Sequence, residues 1–171
     1  MSADKDTGEK LIATNSTARQ NYFLEELVEA GIVLQGTEIK SIRAMSPNLK
    51  DSFVDVTSRG KGANAALEAW LVNVHIGPYS HGNIWNHEPR RRRKLLLHKA
   101  QIKQMYGALT QDGRTIVPTR MYFSKGRVKV EIAIAKGKKQ NDKRADIRKK
   151  DQNREIQQAM KKSSRSGRDR E

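Results

Sequence analysis

From Lys136 to Glu171 the chain has almost nothing with which to build a core, and this decides where folding must take place. These 36 residues carry 14 Lys/Arg against 6 Asp/Glu, a surplus of +8. Their only aliphatic or Met side chains are Ala145, Ile147, Ile156, Ala159 and Met160. Ordering a residue costs about 1–2 kcal/mol of backbone entropy, which so little apolar surface cannot offset in a free segment. A tail over 136–171 that is disordered alone is therefore expected. Ile156, Ala159 and Met160 nevertheless stand at i, i+3 and i+4, and neither Gly nor Pro occurs between Gly137 and Gly167. Such a segment can become a helix with one narrow apolar face once a polyanion neutralises it. A solvated tail that only raises solubility fits the same composition.

Residues 1–20 read as a disordered polar leader, with three basic and three acidic side chains. The body is then 21–135, enough chain for a single core. The tail accounts for +8 of the net +15, leaving +7 for the rest, and the pI is 10.2. Charge of this sign points to nucleic acid or an anionic membrane. Against a membrane, no apolar run approaches spanning length, no signal-peptide-like region or lipidation motif occurs, and no basic amphipathic stretch carries Trp or Phe. The expectation is no membrane partner and a cytoplasmic location. With no Cys, disulfides, Cys-based zinc sites and thiol catalysis are excluded.

Within the body, Tyr22–Leu27 and Ile32–Leu34 read as strands around a turn at Glu29-Ala30-Gly31. Thr37 is a plausible N-cap for a short helix from Glu38 to about Met45. Ser52–Val56 is a strand, and Arg59–Asn64 a hairpin loop. Over Ala66–Ile76, alternation places Trp70, Val72, Val74 and Ile76 on one face of a strand, and Leu71, Asn73 and His75 on the other. Pro89 suits the first position of a helix running to about Leu109, with Leu95, Ile102, Met105, Tyr106 and Leu109 on its core face and Leu96 off that stripe. Thr115–Phe123 and Arg127–Ala135 form a hairpin about Lys125-Gly126, with Val128, Val130, Ile132 and Ile134 inward and Lys129 and Glu131 opposite. About six strands and two helices predict a mainly β protein: a small antiparallel barrel with flanking short helices. An open sandwich is the alternative.

Arg90–Lys94 is an unbroken run of five cations. At a helix N-terminus these would oppose the helix dipole, an arrangement that phosphates would relieve. Lys40 and Arg43, one turn apart, extend the positive surface. His75, His81 and His87, with Glu88 as a base, raise a metal site, but no helical metal-binding spacing holds them together. No nucleophile elbow, phosphate-binding Gly loop or dinucleotide fingerprint occurs. Neither an enzyme nor a cofactor is expected.

Taken together, EAGIVLQGTEIKSIRA (29–44), NLKDSF (48–53), NVHIGPY (73–79), RKLLLHK (93–99) and AKGKKQNDKR (135–144) resemble the small protein B (SmpB) family, the bacterial partner of transfer-messenger RNA (tmRNA, or SsrA). The blocks are collinear and cover the body and the start of the tail. The resemblance implies an antiparallel barrel like an oligonucleotide-binding (OB) fold, with a tail disordered in the free protein and helical on the ribosome. It implies a non-enzymatic role in trans-translation. The protein would bind the tRNA-like domain of tmRNA, support its alanylation and enter stalled ribosomes, with the tail in the empty mRNA channel. Elongation factor Tu and alanyl-tRNA synthetase would be met through the RNA complex.

Residue by residue, the resemblance makes Glu29, Leu96 and Lys129 RNA contacts, a carboxylate there serving base amino or 2′-hydroxyl groups rather than phosphate. Lys40, Arg43, Arg93 and Lys94 join them as candidate RNA-binding cations. Lys138, Lys139, Asp142, Lys143 and Arg144 match the tail motif addressed to the decoding centre, with Ile156 and Met160 further along the channel. Asn141 departs from the family's usual His or Tyr, which stacks better than an amide. A basic ribosomal or other structural RNA-binding protein is the alternative function.

Overall fold

The computed structural model describes residues 9–45, 47–60, 66–111 and 113–139, together with tail positions Asp142, Arg144, Arg148, Gln152, Ile156, Gln157 and Met160. It divides into two units, Met1–Gly137 and Lys138–Glu171. Seven strands dominate the first: β1 Lys10–Thr14, β2 Tyr22–Ile32, β3 Phe53–Arg59, β4 Ala66–Val72, β5 Arg93–Leu96, β6 Thr115–Ser124 and β7 Arg127–Gly137. Helices α1 (Ser16–Asn21), α2 (Gly36–Ala44) and α3 (Lys99–Gln111) and a 3-10 turn at Asn83–Trp85 lie between them.

All the strand pairings are antiparallel, in the order β1-β6-β7-β2-β5-β4-β3. The sheet curls until β3 packs near β6, giving the mainly β, barrel-like architecture expected. Val130, Ile132 and Ile134 of β7, Val54 of β3, Leu71 of β4 and Leu95 of β5 fill the interior, joined by Ile102 and Met105 of α3. The inward set read for β7 is observed, and Lys129 and Glu131 take the other face.

Five local expectations are corrected. Residues 10–20 are not an unstructured leader: β1 pairs with β6, and buried Asn15 ties the segment down. The Asn15 amide donates to the carbonyls of Leu49 (3.1 Å) and Pro118 (3.0 Å), while its Oδ1 accepts from the Ala18 N–H and starts α1. Second, Glu29-Ala30-Gly31 is no turn but the interior of β2, hydrogen-bonded to β7 and then β5. Third, α2 begins at Gly36, so Thr37 lies inside it, and Glu38 reaches back to the Gln35 N–H at 2.8 Å.

Fourth, the face of the Ala66–Ile76 segment is reversed in its first half. Leu71 is buried while Trp70 and Val72 are partly exposed. Asn73 then takes a left-handed φ of 64°, and this shift in the alternation brings Val74 and Ile76 inside as well. Fifth, the helix expected from Pro89 is a strand, β5, followed by the separate helix α3. Four residues are too few for strand alternation to show, and inward Arg93 disguises it. Most of the proposed Arg59–Asn64 loop lies outside the described residues.

Buried Arg93 explains its inward position. Its guanidinium meets the Glu38 carboxylate at 2.8 Å and donates to the carbonyls of Val74, Pro89 and Arg91. Arg91 holds the other Glu38 oxygen at 2.5 Å. Burial raises the Glu38 pKa, but the bonds from Arg91, the Gln35 N–H and Arg93 outweigh it and leave the pKa below the usual carboxylate value. This cluster pins α2 to β5.

Candidate nucleic-acid interface

The β6–β7 hairpin sets the geometry of the face around Glu29. Lys125 and Gly126 both take positive φ, 48° and 75°, the two-residue loop whose twist matches paired strands. This register places Tyr122 opposite Lys129. The next pairings place Lys129 opposite Gly31 and Gly31 opposite Leu96. Tyr122, Lys129, Gly31 and Leu96 therefore form one row across four strands, with a residue lacking a side chain between the lysine and the leucine.

Glu29, two residues before Gly31 and on the same side of β2, accepts hydrogen bonds from the Tyr122 hydroxyl and from Lys129 Nζ, the latter at 2.9 Å. These two bonds, Tyr122 first, hold the Glu29 carboxyl below its ordinary pKa. Burial and the same contact push the Tyr122 phenol well above its own, so it stays a donor. Glu131 lies directly opposite Glu29, a repulsive pairing in isolation. It is answered separately by Arg120 at 3.0 Å and by the Thr119 hydroxyl at 2.6 Å. Arg120 also lies 5.1 Å from the centre of the Tyr122 ring.

Leu96 is 55% exposed, uncommon for leucine, because strand alternation buries Leu95 and turns Leu96 outward. With Glu29, Lys94 and Lys129 it lines an open groove of about 760 Å³ whose walls also include Leu27, Leu67, His98 and Gln101. Glu26, Glu29 and Glu68 share that groove with the two lysines, so it is a mixed polar surface with an apolar knob rather than a simple cationic trough. Such a surface can offer acceptors to base edges or sugar hydroxyls, a cation to phosphate and a hydrophobic seat to a base or ribose.

The structure thus brings together four of the sequence-derived RNA candidates, Glu29, Lys94, Leu96 and Lys129. It separates the others. Arg93 is buried and committed to Glu38. Arg43 lines a different groove with Leu11, Ile12, Met45 and Phe123. Lys40 lies 5.8 Å from the centre of the Tyr79 ring. The five-cation run does not open a helix, and its charge is largely answered within the fold. Arg92 pairs with Asp55 at 2.5 Å and Lys94 with Glu68 at 2.7 Å, beside the Glu38 pairs of Arg91 and Arg93. Tyr122 was missed by the sequence reading, although the two-residue turn it did identify already sets Tyr122 against Lys129.

From Asp142 onward the described tail positions have helical backbone. Asp142 accepts from the Lys139 N–H at 3.2 Å, the reach-back contact of a helix start. Ile156 and Met160 are 52% and 65% exposed. Lys138 and Lys139 follow β7, and Arg144 is exposed; Asn141 and Lys143 lie outside the described residues. His75 bridges to Asn48 and His81 packs near Tyr79, and among the described residues no three potential metal ligands converge.

A curled antiparallel sheet with a basic sequence, and a row that runs from buried Tyr122 through half-buried Lys129 to exposed Leu96, defines a small barrel of the nucleic-acid-binding kind. Residues 12–162 match the family described as SmpB protein, and the chain belongs to that family. It is 53% identical over 158 residues to the SsrA-binding protein of Pelobacter propionicus, covering 92% of this chain and 99% of that one. The SsrA-binding protein of Geobacter metallireducens is 49% identical over 159 residues, covering 93% and 99%. A solved structure described as "tmRNA-SmpB: a journey to the center of the bacterial ribosome" is similar over 75% of this chain and 85% of its own, with 41% identity and a TM-score of 0.58.

Proposed function

We propose that this chain is a tmRNA-binding protein of trans-translation, acting in the cytoplasm by binding rather than by catalysis. The observation that carries the reading is the row Tyr122–Lys129–Gly31–Leu96 with Glu29 held beside it. The tRNA-like domain of tmRNA sits across this row. Leu96 packs against a base or ribose, Lys129 turns from Glu29 to a phosphate, and Glu29 accepts hydrogen bonds from RNA donors. Lys94 stands at the groove edge, whereas Arg93 serves the fold that holds the edge in place. Bound this way, the protein supports alanylation of the RNA and reaches alanyl-tRNA synthetase and elongation factor Tu only through it.

The second unit acts on the ribosome. Lys138, Lys139, Asp142, Lys143 and Arg144 address the decoding centre, with Asn141 giving a hydrogen bond there in place of stacking. The segment bearing Ile156 and Met160 occupies the vacant mRNA channel as a helix. Purifying the protein from cells and sequencing the bound RNA tests the assignment. Enrichment of tmRNA that is lost with Leu96→Ala and Lys129→Ala together supports it; stable recovery of ribosomal RNA alone contradicts it.

A further inference from the structure

The segment from Tyr79 to Asn86 belongs to neither the groove nor the tail, and it is built to hold a tryptophan in solvent. Trp85 is 75% exposed and Ile84 87%. In a chain with only two tryptophans, leaving one outside forfeits much of its burial energy. The loop carrying it is nonetheless closely fastened. Asn86 clasps Tyr79 at both ends of its amide, accepting from the Tyr79 N–H at 2.9 Å and donating to the Tyr79 carbonyl at 3.0 Å. The Gly82 N–H bonds to the Tyr79 carbonyl at 2.8 Å, and the Trp85 N–H to the Gly82 carbonyl at 2.8 Å. A Cβ at Gly82 would stand 2.5 Å from Asn86 Oδ1, so the clasp requires glycine there.

The surroundings are polar and cationic. Thr37 Oγ1 of α2 lies 3.5 Å from the Trp85 carbonyl, and one turn on, exposed Lys40 has its Nζ 5.8 Å from the Tyr79 ring centre. His81 stacks at a tilt on Tyr79, 5.4 Å between ring centres, and His87, Glu88 and Arg90 are exposed as the chain leaves the loop. An exposed indole on a loop whose backbone is fastened, with Lys40 against the Tyr79 ring of the same loop, on a protein of net charge +15, offers what single-stranded nucleic acid uses: a ring face for a base and a cation for a phosphate.

We propose that the Tyr79–Asn86 loop is a second RNA-contact site, separate from the Glu29–Leu96 groove, at which an unpaired base stacks on Trp85 and its phosphate meets Lys40. This goes beyond the function proposed above, because no residue of the loop lines that groove.

The test uses full-length protein carrying Trp70→Phe, so that Trp85 alone emits, titrated at low salt with a short unpaired RNA of mixed sequence. The expected result is quenching of Trp85 emission by the unpaired RNA and little by a duplex of equal length. Quenching should persist with Leu96→Ala and Lys129→Ala, which separates failure of this site from failure of the groove. In the otherwise native protein carrying those two groove substitutions, Trp85→Ala should weaken binding of labelled unpaired RNA about tenfold. Lys40→Ala should lower the slope of log affinity on log salt by roughly 0.7. Unchanged emission at RNA saturation, equal quenching by duplex, or unchanged affinity for Trp85→Ala would overturn the proposal. The last would leave the loop to a protein partner.

Discussion

The side chain of Leu96 lies across Gly31: a Cβ added to Gly31 would stand 3.2 Å from the Leu96 Cβ. The two residues are cross-strand partners, so the leucine owes its position over the groove to the missing side chain opposite. Gly31→Ala should therefore displace Leu96 by a few tenths of an ångström. A stability loss of about 1 kcal/mol, comparable to mild overpacking, is expected. RNA affinity should fall, by no more than with Leu96→Ala, while the salt slope stays unchanged. Denaturant unfolding alongside RNA titration checks this; native affinity for Gly31→Ala would sink the arrangement.

Lys129 and Leu96 face one another across that glycine with different chemistry. Lys129→Ala should weaken RNA binding and reduce the salt slope by roughly 0.7–0.9, the effect of one lost phosphate contact. Leu96→Ala should weaken binding through lost apolar packing and leave the slope nearly unaltered. Titrations at several salt concentrations decide; equal slope changes contradict the division of labour.

Tyr122 positions Glu29. Its hydroxyl is the leading cause of the lowered Glu29 pKa, ahead of Lys129. Tyr122→Phe should move the carboxyl titration of Glu29 upward, toward the ordinary value of 4.5, and further than Lys129→Ala does. Because a depressed pKa keeps the carboxylate charged to lower pH, the variant should begin to lose Glu29-dependent RNA affinity at a higher pH than the native protein. Carboxyl-detected NMR reads the shift directly, and an unmoved titration would refute the role.

How much of this was legible beforehand follows from the range of the forces involved. Lys125-Gly126 carries its own turn chemistry, so the hairpin and the outward Lys129 could be read locally. Leu96 stood out as a misplaced leucine, but for the wrong reason: β5 is a strand because β2 and β4 flank it, and nothing within Arg93–Leu96 says so. Arg93 looked like surface charge because its partner Glu38 lies fifty-five residues away. The β1 pairing was invisible for the same reason, since Asn15 finds its acceptors at Leu49 and Pro118.

The Glu38–Arg93 pair gives a stability prediction with a definite sign. Glu38→Gln leaves a fully buried guanidinium without its counter-charge, and losses of about 3–5 kcal/mol are usual when one partner of a buried pair is removed. In the native protein the folded pKa of Glu38 lies below the ordinary 4.5. Its contribution is thus complete above that value and is lost as pH falls through the folded pKa. Native stability should decline on acidification below about pH 4.5, and that part of the decline should be absent in Glu38→Gln. Equal acid sensitivity of the two proteins would contradict the account.

The second unit offers Ile156 and Met160, four residues apart and exposed, as its apolar stripe. Ile156→Asp with Met160→Asp should impair tagging on stalled ribosomes while leaving affinity for the tRNA-like RNA unchanged. Amide exchange on the free protein should find no protection beyond about Lys139, because the little apolar surface of 136–171 cannot offset the entropy cost of ordering it. Undiminished tagging by the double variant, or a protected free tail, would count against this.

Ending the chain after Gly137, where β7 closes the first unit, separates the two activities most directly. Affinity for the tRNA-like RNA and tagging of a stop-less message should be measured together in a reconstituted system. The account predicts affinity within about tenfold of the full chain, roughly 1.4 kcal/mol or less, and no tagging. Normal tagging by the shortened protein, or collapse of its RNA binding, would contradict it.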